Sequence, residues 1–107
     1  MTTASGQEPG SAGKADHEEA LEREAAGRAG RMLGLWAADL MGLEAPHQSD
    51  YAEAVIRYGG AHSGQEAIPR KIAQDLAGAG LKVSEDQVRG KRDEFLAVAR
   101  GQLQAEG

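Results

Sequence analysis

The amino-acid sequence predicts an all-α fold, a small four-helix bundle with a disordered amino-terminal tail. Large apolar residues recur at three- and four-residue steps, the spacing that lines one face of a helix. No segment alternates apolar and polar residues with period two, as a half-buried strand would. Connections rich in Gly, Pro and Ser separate the four helical segments. We expect residues 1–15 to form the tail and residues 16–105 to form the four-helix domain.

The first part of the chain has little to bury. Residues 1–13 carry no large apolar side chain after Met1, and Gly, Ser, Thr and Pro are frequent. Such a segment cannot offset the roughly 1–2 kcal/mol per residue that ordering costs, so we interpret it as a solvated tail, or one that folds only on a partner. Residues 14–31 are rich in helix formers, but Leu21 is their one large apolar residue. They are expected to form a frayed or solvent-projecting extension of the first helix.

Residues 32–42 are the stretch around which the bundle is predicted to form. They hold the only tryptophan, and the residues that recur at helical steps there are Met32, Leu33, Trp36, Leu40 and Leu43. A buried indole removes roughly 150–250 Å² from water, so Trp36 is expected to dominate the core. The first helix is predicted to end near Gly42.

The second helix is expected to start at Ser49. Pro46 limits continuation of the first helix, and Ser49 is a good N-cap, with Asp50 at the positive end of the new helix. The pair Gly59 and Gly60 is predicted to end it.

The third and fourth helices each begin with a predicted capping box. Ser63 and Glu66 form the first box, although Pro69 must lie in the first turns, which favours a start near Ile68. Gly78 and Gly80 are expected to end the third helix. Residues 84–87, Ser-Glu-Asp-Gln, form the second box at the head of the fourth helix, whose predicted inward residues are Val88, Phe95, Leu96, Ala99 and Leu103.

The composition favours a soluble interaction protein over an enzyme. The 107 residues include no cysteine and carry a net charge of −5, which argues against a nucleic-acid or anionic-membrane binder. No apolar run approaches the ~20 residues of a membrane span. We therefore expect a cytoplasmic protein, monomeric when free. No catalytic residues are predicted and no metal site, because His17, His47 and His62 are widely separated and are interpreted as surface residues.

Residues 32–42 also carry a resemblance. Their sequence, M-L-G-L-W-A-A-D-L-M-G, resembles L-L-G-L-W-A-A-E-L-L-G, the signature of the zeta subunit, the small ATPase-inhibitor family of alphaproteobacterial F-type ATP synthases. The signature core positions are Leu33, Gly34, Leu35, Trp36 and Leu40. Similar blocks follow in order at residues 51–56, 70–76, 83–89 and 93–100, with a weaker one at 63–67. The resemblance covers about residues 14–104.

This resemblance implies a four-helix fold and a partner, the catalytic head of the F-type ATP synthase. It implies a regulatory subunit that limits ATP hydrolysis, located in the cytoplasm at the periphery of the inner-membrane enzyme. In such inhibitors the amino-terminal segment folds into a helix that enters a catalytic interface. The partner-binding residues carried over to this chain are Lys14, His17, Glu18, Glu19 and Leu21. Family members are also associated with adenine nucleotides, but the resemblance assigns no residues here to such a site and no other cofactor.

The sequence departs from the family at the inhibitory end. Typical members begin with a stretch like F-D-D-R-E-x-A-F-E-x-K-F-A-H, of which only Lys14 and His17 remain. Ala15 and Arg23 stand where phenylalanines are usual, and Pro9 and several glycines lower the helix propensity of the preceding residues. We therefore expect a weak or non-inhibitory paralogue. The alternative is a helical interaction or adenine-nucleotide-binding module that does not act on the ATPase.

Overall fold

The computed structural model contains four helices, as the sequence predicts. It describes residues 4–62 and 66–106, with side chains for residues 16–62 and 66–106. The helices are α1 (Ala4–Leu40), α2 (Ala45–Ala61), α3 (Ala67–Gly78) and α4 (Glu85–Glu106). The side chains of the predicted tail, residues 1–15, lie outside the described ones. None of the described helices is long and apolar enough to cross a membrane.

Helix α1 contacts each of the other three helices, and it approaches α2 closely at Gly34. At Gly34 a Cβ atom would lie 2.8 Å from the Cα atom of Ala52 and 3.1 Å from its Cβ atom. Both residues are buried. The two backbones can therefore come this close only because Gly34 has no side chain.

Around this crossing lies the main core, to which all four helices contribute. Its fully buried side chains are Leu33, Ala37, Val55, Ile68, Ile72, Leu76 and Val88. Trp36 and Phe95 pack against this cluster but are only partly buried. The core therefore rests on aliphatic side chains from all four helices more than on the tryptophan.

The expectation that Leu40 belongs to the core is wrong. Leu40 is 42% exposed and is the last residue of α1, where fewer neighbouring side chains cover the helix than around Leu33. Leu33 and Gly34 are buried as expected, and Leu35 is partly buried.

A second cluster joins the middle of α1 to the carboxyl-terminal half of α4. Ala25, Ala99 and Leu103 form it, with Met32 and Leu96 packed against it. The sequence analysis expected residues 14–31 to project into solvent. That expectation is wrong for the part from Ala25 onward, because small residues on both helices let α1 pack closely on α4.

Helices α1 and α3 end in the same way. Gly42 and Gly80 have φ angles of 79° and 82°, the left-handed conformation that glycine adopts without strain. The N–H groups of Leu43 and Leu81 then donate to the carbonyl oxygens of Ala38 and Leu76, at 3.0 and 2.9 Å. Each end is a Schellman motif.

The predicted start of α2 is wrong. The helix begins at Ala45, with Pro46 in its first turn, so Ser49 lies inside it and is not its N-cap. Proline fits there because first-turn N–H groups have no partner within the helix. The hydroxyl of Ser49 instead accepts a hydrogen bond of 3.1 Å from Arg31 on α1.

The two predicted capping boxes have different outcomes. At α4, the Gln87 N–H donates to Ser84 Oγ at 3.1 Å, and the Ser84 N–H donates to Gln87 Oε1 at 2.8 Å. This box is confirmed. Ser63 lies outside the described residues, and α3 begins at Ala67 after Glu66, which makes no side-chain capping bond. Pro69 lies in the first turn of α3, as predicted from the sequence.

We expect Gly34→Ala to destabilise the protein by about 1–3 kcal/mol, because the added methyl group overlaps the Ala52 backbone and forces α1 and α2 apart. The measurement is the free energy of unfolding by urea. Gly90→Ala on α4 is the matched control, since a Cβ there meets nothing within 4 Å. It should be stabilising by about 0.5–1 kcal/mol. If the two substitutions changed the free energy of unfolding equally, the close contact of α1 and α2 at Gly34 would not be important for stability.

Candidate functional site

The residues predicted to bind a partner lie in the first half of α1. His17, Glu18 and Glu19 are exposed there, and Leu21 is partly buried. The side chain of Lys14 lies outside the described ones. From Asp16 to Glu24 every side chain except that of Leu21 is exposed, so this segment presents an almost wholly polar surface.

Leu21 is partly buried because it faces a cleft between α1 and the end of α4. The cleft has a volume of about 370 Å³ and a largely apolar wall. Its lining residues are His17, Leu21, Glu22, Arg100, Leu103 and Gln104. Two of the predicted partner-binding residues, His17 and Leu21, therefore share one surface with residues from α4.

Ion pairs cross from α1 to α4 on both sides of the second cluster. Arg28 donates to both carboxylate oxygens of Glu106, at 2.7 and 2.8 Å, and also to Glu24 at 3.0 Å. Arg100 also makes a bidentate pair, with Glu22, in which the shortest distance is 2.8 Å from Nη2 to Oε1. Bidentate pairs fix orientation as well as distance. We call these two pairs, Arg28–Glu106 and Arg100–Glu22, the clasp.

The clasp shifts the ionisation of its own members. The hydrogen bond from Arg28 lowers the pKa of Glu106, and the hydrogen bond from Arg100 lowers the pKa of Glu22. The same hydrogen bonds raise the pKa values of the two arginines. Both carboxylates are therefore charged at neutral pH.

Comparison with known protein families gives a match over nearly the whole chain. The model of the ATPase inhibitor subunit zeta matches residues 1–102. The chain belongs to this family. No characterised protein and no solved structure matches significantly. Family membership supports an inhibitory, regulatory role and an association with the ATP synthase.

The zeta family match includes the first half of α1, the segment in which this chain departs from the family's usual sequence. Arg23, which stands where a phenylalanine is usual, is exposed. A substitution of phenylalanine by arginine at this position costs the domain no packing, because the side chain faces solvent. Arg23 is therefore not part of the packed interior of the bundle.

The clasp could not be predicted from the sequence. The members of each pair are separated by 78 residues and lie in two helices, so no local spacing brings them together. The one signal in the sequence was that Arg100 lies outside the predicted inward stripe of α4 and Glu22 lies in the charged run of α1, so both were available for ion pairs.

A second polar contact, between Tyr51 on α2 and Asp75 on α3, is structural. The Tyr51 hydroxyl donates to Asp75 Oδ2 at 2.7 Å, and Lys71 Nζ donates to the same oxygen at 3.0 Å. Burial, together with the bond to Asp75, raises the pKa of Tyr51 above its ordinary value. The phenol therefore stays protonated and keeps donating, which ties α2 to α3.

The histidines do not come together. His17, His47 and His62 are all exposed, and His62 stacks on Tyr58 with ring centroids 3.8 Å apart. Among the described residues, no group of three or more His, Cys, Asp or Glu side chains could hold a metal ion. In the cleft between α1 and α4, by contrast, a histidine, two leucines and an ion pair line one surface.

The lowered pKa values predict how the clasp responds to acid. A carboxylate whose pKa is lower in the folded protein contributes stability above its unfolded value, near 4.5, and loses it as the pH falls through the folded value. We expect the double variant Glu22→Gln, Glu106→Gln to have a lower Tm than the parent at neutral pH. Well below pH 4.5 this difference should disappear.

Thermal unfolding followed by circular dichroism checks this expectation. Glu53→Gln is the control, because Glu53 makes only an exposed pair with Arg57 inside α2, at 4.0 Å. A Tm difference that persisted unchanged in acid would show that the ion pairs do not hold α1 to α4.

Proposed function

We propose that this protein docks on the catalytic head of an F-type ATP synthase through the first half of α1 and inhibits ATP hydrolysis only weakly. Membership of the zeta family supports the partner. The polar surface of residues 16–24 of α1 supports weak inhibition. The localisation follows from the partner, at the periphery of the membrane that holds the ATP synthase.

The observation that carries the proposal is the polar surface of residues 16–24. Leu21 is the one large apolar side chain there, and it is already partly covered by the cleft against α4. Binding energy at interfaces concentrates in a few buried aromatic, aliphatic or arginine anchors. A segment that presents Glu18, Glu19 and Arg23 to solvent offers charges, which steer association more than they strengthen it.

The low helix propensity of the residues around Pro9 also weakens binding. Pro9 and the glycines around it increase the free-energy cost of holding that part of the chain in a helix within a catalytic interface. An inhibitory segment pays this ordering cost when it binds, so its affinity falls. Weak anchors and a costly helix together favour a regulatory subunit that leaves most hydrolysis unblocked.

The test is inhibition of purified homologous ATPase by the full chain. We expect little loss of hydrolysis at stoichiometric amounts. The double variant Ala15→Phe, Arg23→Phe, which restores the usual aromatic residues, should lower the concentration for half-inhibition by about tenfold or more, since two anchors become available.

Arg57→Phe is the matched control for this experiment. Arg57 is also exposed but lies on α2, so a phenylalanine there adds apolar surface away from α1. It should leave inhibition unchanged. Strong inhibition by the parent that disappears on deletion of residues 1–15 would contradict the proposed weakness.

The alternative, a helical or adenine-nucleotide-binding module that does not act on the ATPase, predicts a different result. Neither the parent nor the phenylalanine variant would then bind the ATPase. Titration with ADP or ATP, followed by amide chemical shifts, would give clustered shifts in the helical domain. We propose no nucleotide site, because no described feature favours one set of residues for it.

A further inference from the structure

We propose that the clasp, Arg28–Glu106 and Arg100–Glu22, fixes the direction in which the first half of α1 leaves the domain. The four residues would thus position the first half of α1, the segment proposed to bind the ATPase. This rests on the proposed function only in taking that segment as the one that faces the ATPase. The direction itself is a property of the free protein.

Packing restrains this part of α1 less than the part from Ala25 onward. The apolar contacts between α1 and α4 involve Ala25 on α1 and Ala99 and Leu103 on α4, with Met32 and Leu96 packed against them. Toward the amino terminus a cleft lined by Leu21 and Leu103 lies between the two helices. From Asp16 to Glu24 only Leu21 is partly buried, so few apolar contacts oppose bending or fraying of this segment.

The Arg100–Glu22 pair acts where packing is loose, whereas Arg28 lies between the buried Ala25 and Ala29. Arg100 reaches Glu22 at the edge of the cleft, with two of its nitrogens within 3.1 Å of the two carboxylate oxygens. Arg28 reaches Glu106, near the end of α4, from a different position on α1. Two bidentate contacts at separate points restrain both tilt and rotation, which one contact would not do.

Both pairs are exposed, so the restraint is weak and reversible. The side chains of Arg100 and Glu22 are 49% and 55% exposed. Each exposed pair is expected to change the ratio of undocked to docked helix by only about 2- to 5-fold. Salt should weaken these ion pairs further, because the Debye screening length decreases from about 10 Å at 0.1 M to about 3 Å at 1 M.

Distances between two spin labels test the proposal in the full chain. The chain has no native cysteine, so Glu19→Cys and Ala105→Cys provide one label on each side of the cleft without further substitution. Both positions are exposed. A second labelled protein, with Glu53→Cys on α2 and Gln74→Cys on α3, reports whether the rest of the bundle is intact.

We expect Arg100→Glu to increase the longer-distance population of the first label pair about 2- to 5-fold or more, since it places like charges opposite each other. The double variant Glu22→Arg, Arg100→Glu should restore the parental distribution. Salt at 1 M should act on the parent as the single reversal does. The second label pair should not change in any of these cases.

Arg57→Glu is the charge-matched control, because it reverses one exposed arginine in an ion pair that lies within α2. The proposal is overturned if Arg100→Glu leaves the first distance distribution as narrow as that of the parent, or if the double reversal fails to restore it. A change that Arg57→Glu reproduces also overturns it, since net charge and not the clasp would then be responsible.

The same variants distinguish this proposal from the proposed function. If the parent binds the ATPase, Arg100→Glu should weaken binding about 2- to 5-fold and the double reversal should restore it. Unchanged binding despite a widened distance distribution would overturn the positioning role. If the parent does not bind the ATPase at all, the proposed function fails, and the distances still decide whether the clasp directs α1.

Discussion

The close approach of α1 and α2 at Gly34 and Ala52 is the constraint on which the rest of the bundle depends. A side chain at position 34 would lie within 2.8 Å of the Ala52 Cα atom, so the two helices could not lie this close together. Because they do, Leu33 and Val55 reach a common core, which α3 and α4 then cover with apolar side chains of their own. The glycine inside the family signature is therefore a packing residue, and it sets the position of the helix that carries the signature.

The same helix changes character along its length. Around Gly34 it is held by a core of large aliphatic side chains, and around Ala25 it is held by small residues and the clasp. From Asp16 to Glu24 its surface is almost wholly polar. The residues that build the core thus lie in the second half of one helix, and substitutions at exposed positions from Asp16 to Glu24 remove few packing contacts. This explains how the chain keeps the zeta family's fold although its sequence departs from the family's usual pattern at Arg23.

Local signals in the sequence predicted most of the fold. The capping box at Ser84 and the glycine at position 80 were predictable because their effects extend over a few residues. The start of α2 was not, because Pro46 is compatible with the end of one helix or the first turn of the next. The exposure of Leu40 depends on how the helices pack in three dimensions, and the clasp joins residues 78 positions apart. Periodicity describes one helix at a time and carries no information on which faces of two helices meet.

Isolation of the ATP synthase from native membranes tests the central claim most directly, since the claim is that the protein associates with the enzyme through the first half of α1 and inhibits ATP hydrolysis only weakly. The account predicts that the protein co-purifies with the ATP synthase through affinity and size-exclusion steps, and that the ATPase activity of this preparation rises little when the protein is removed. Complete separation from the enzyme at the first step would contradict the association. A large rise in hydrolysis after removal would contradict the loss of inhibition.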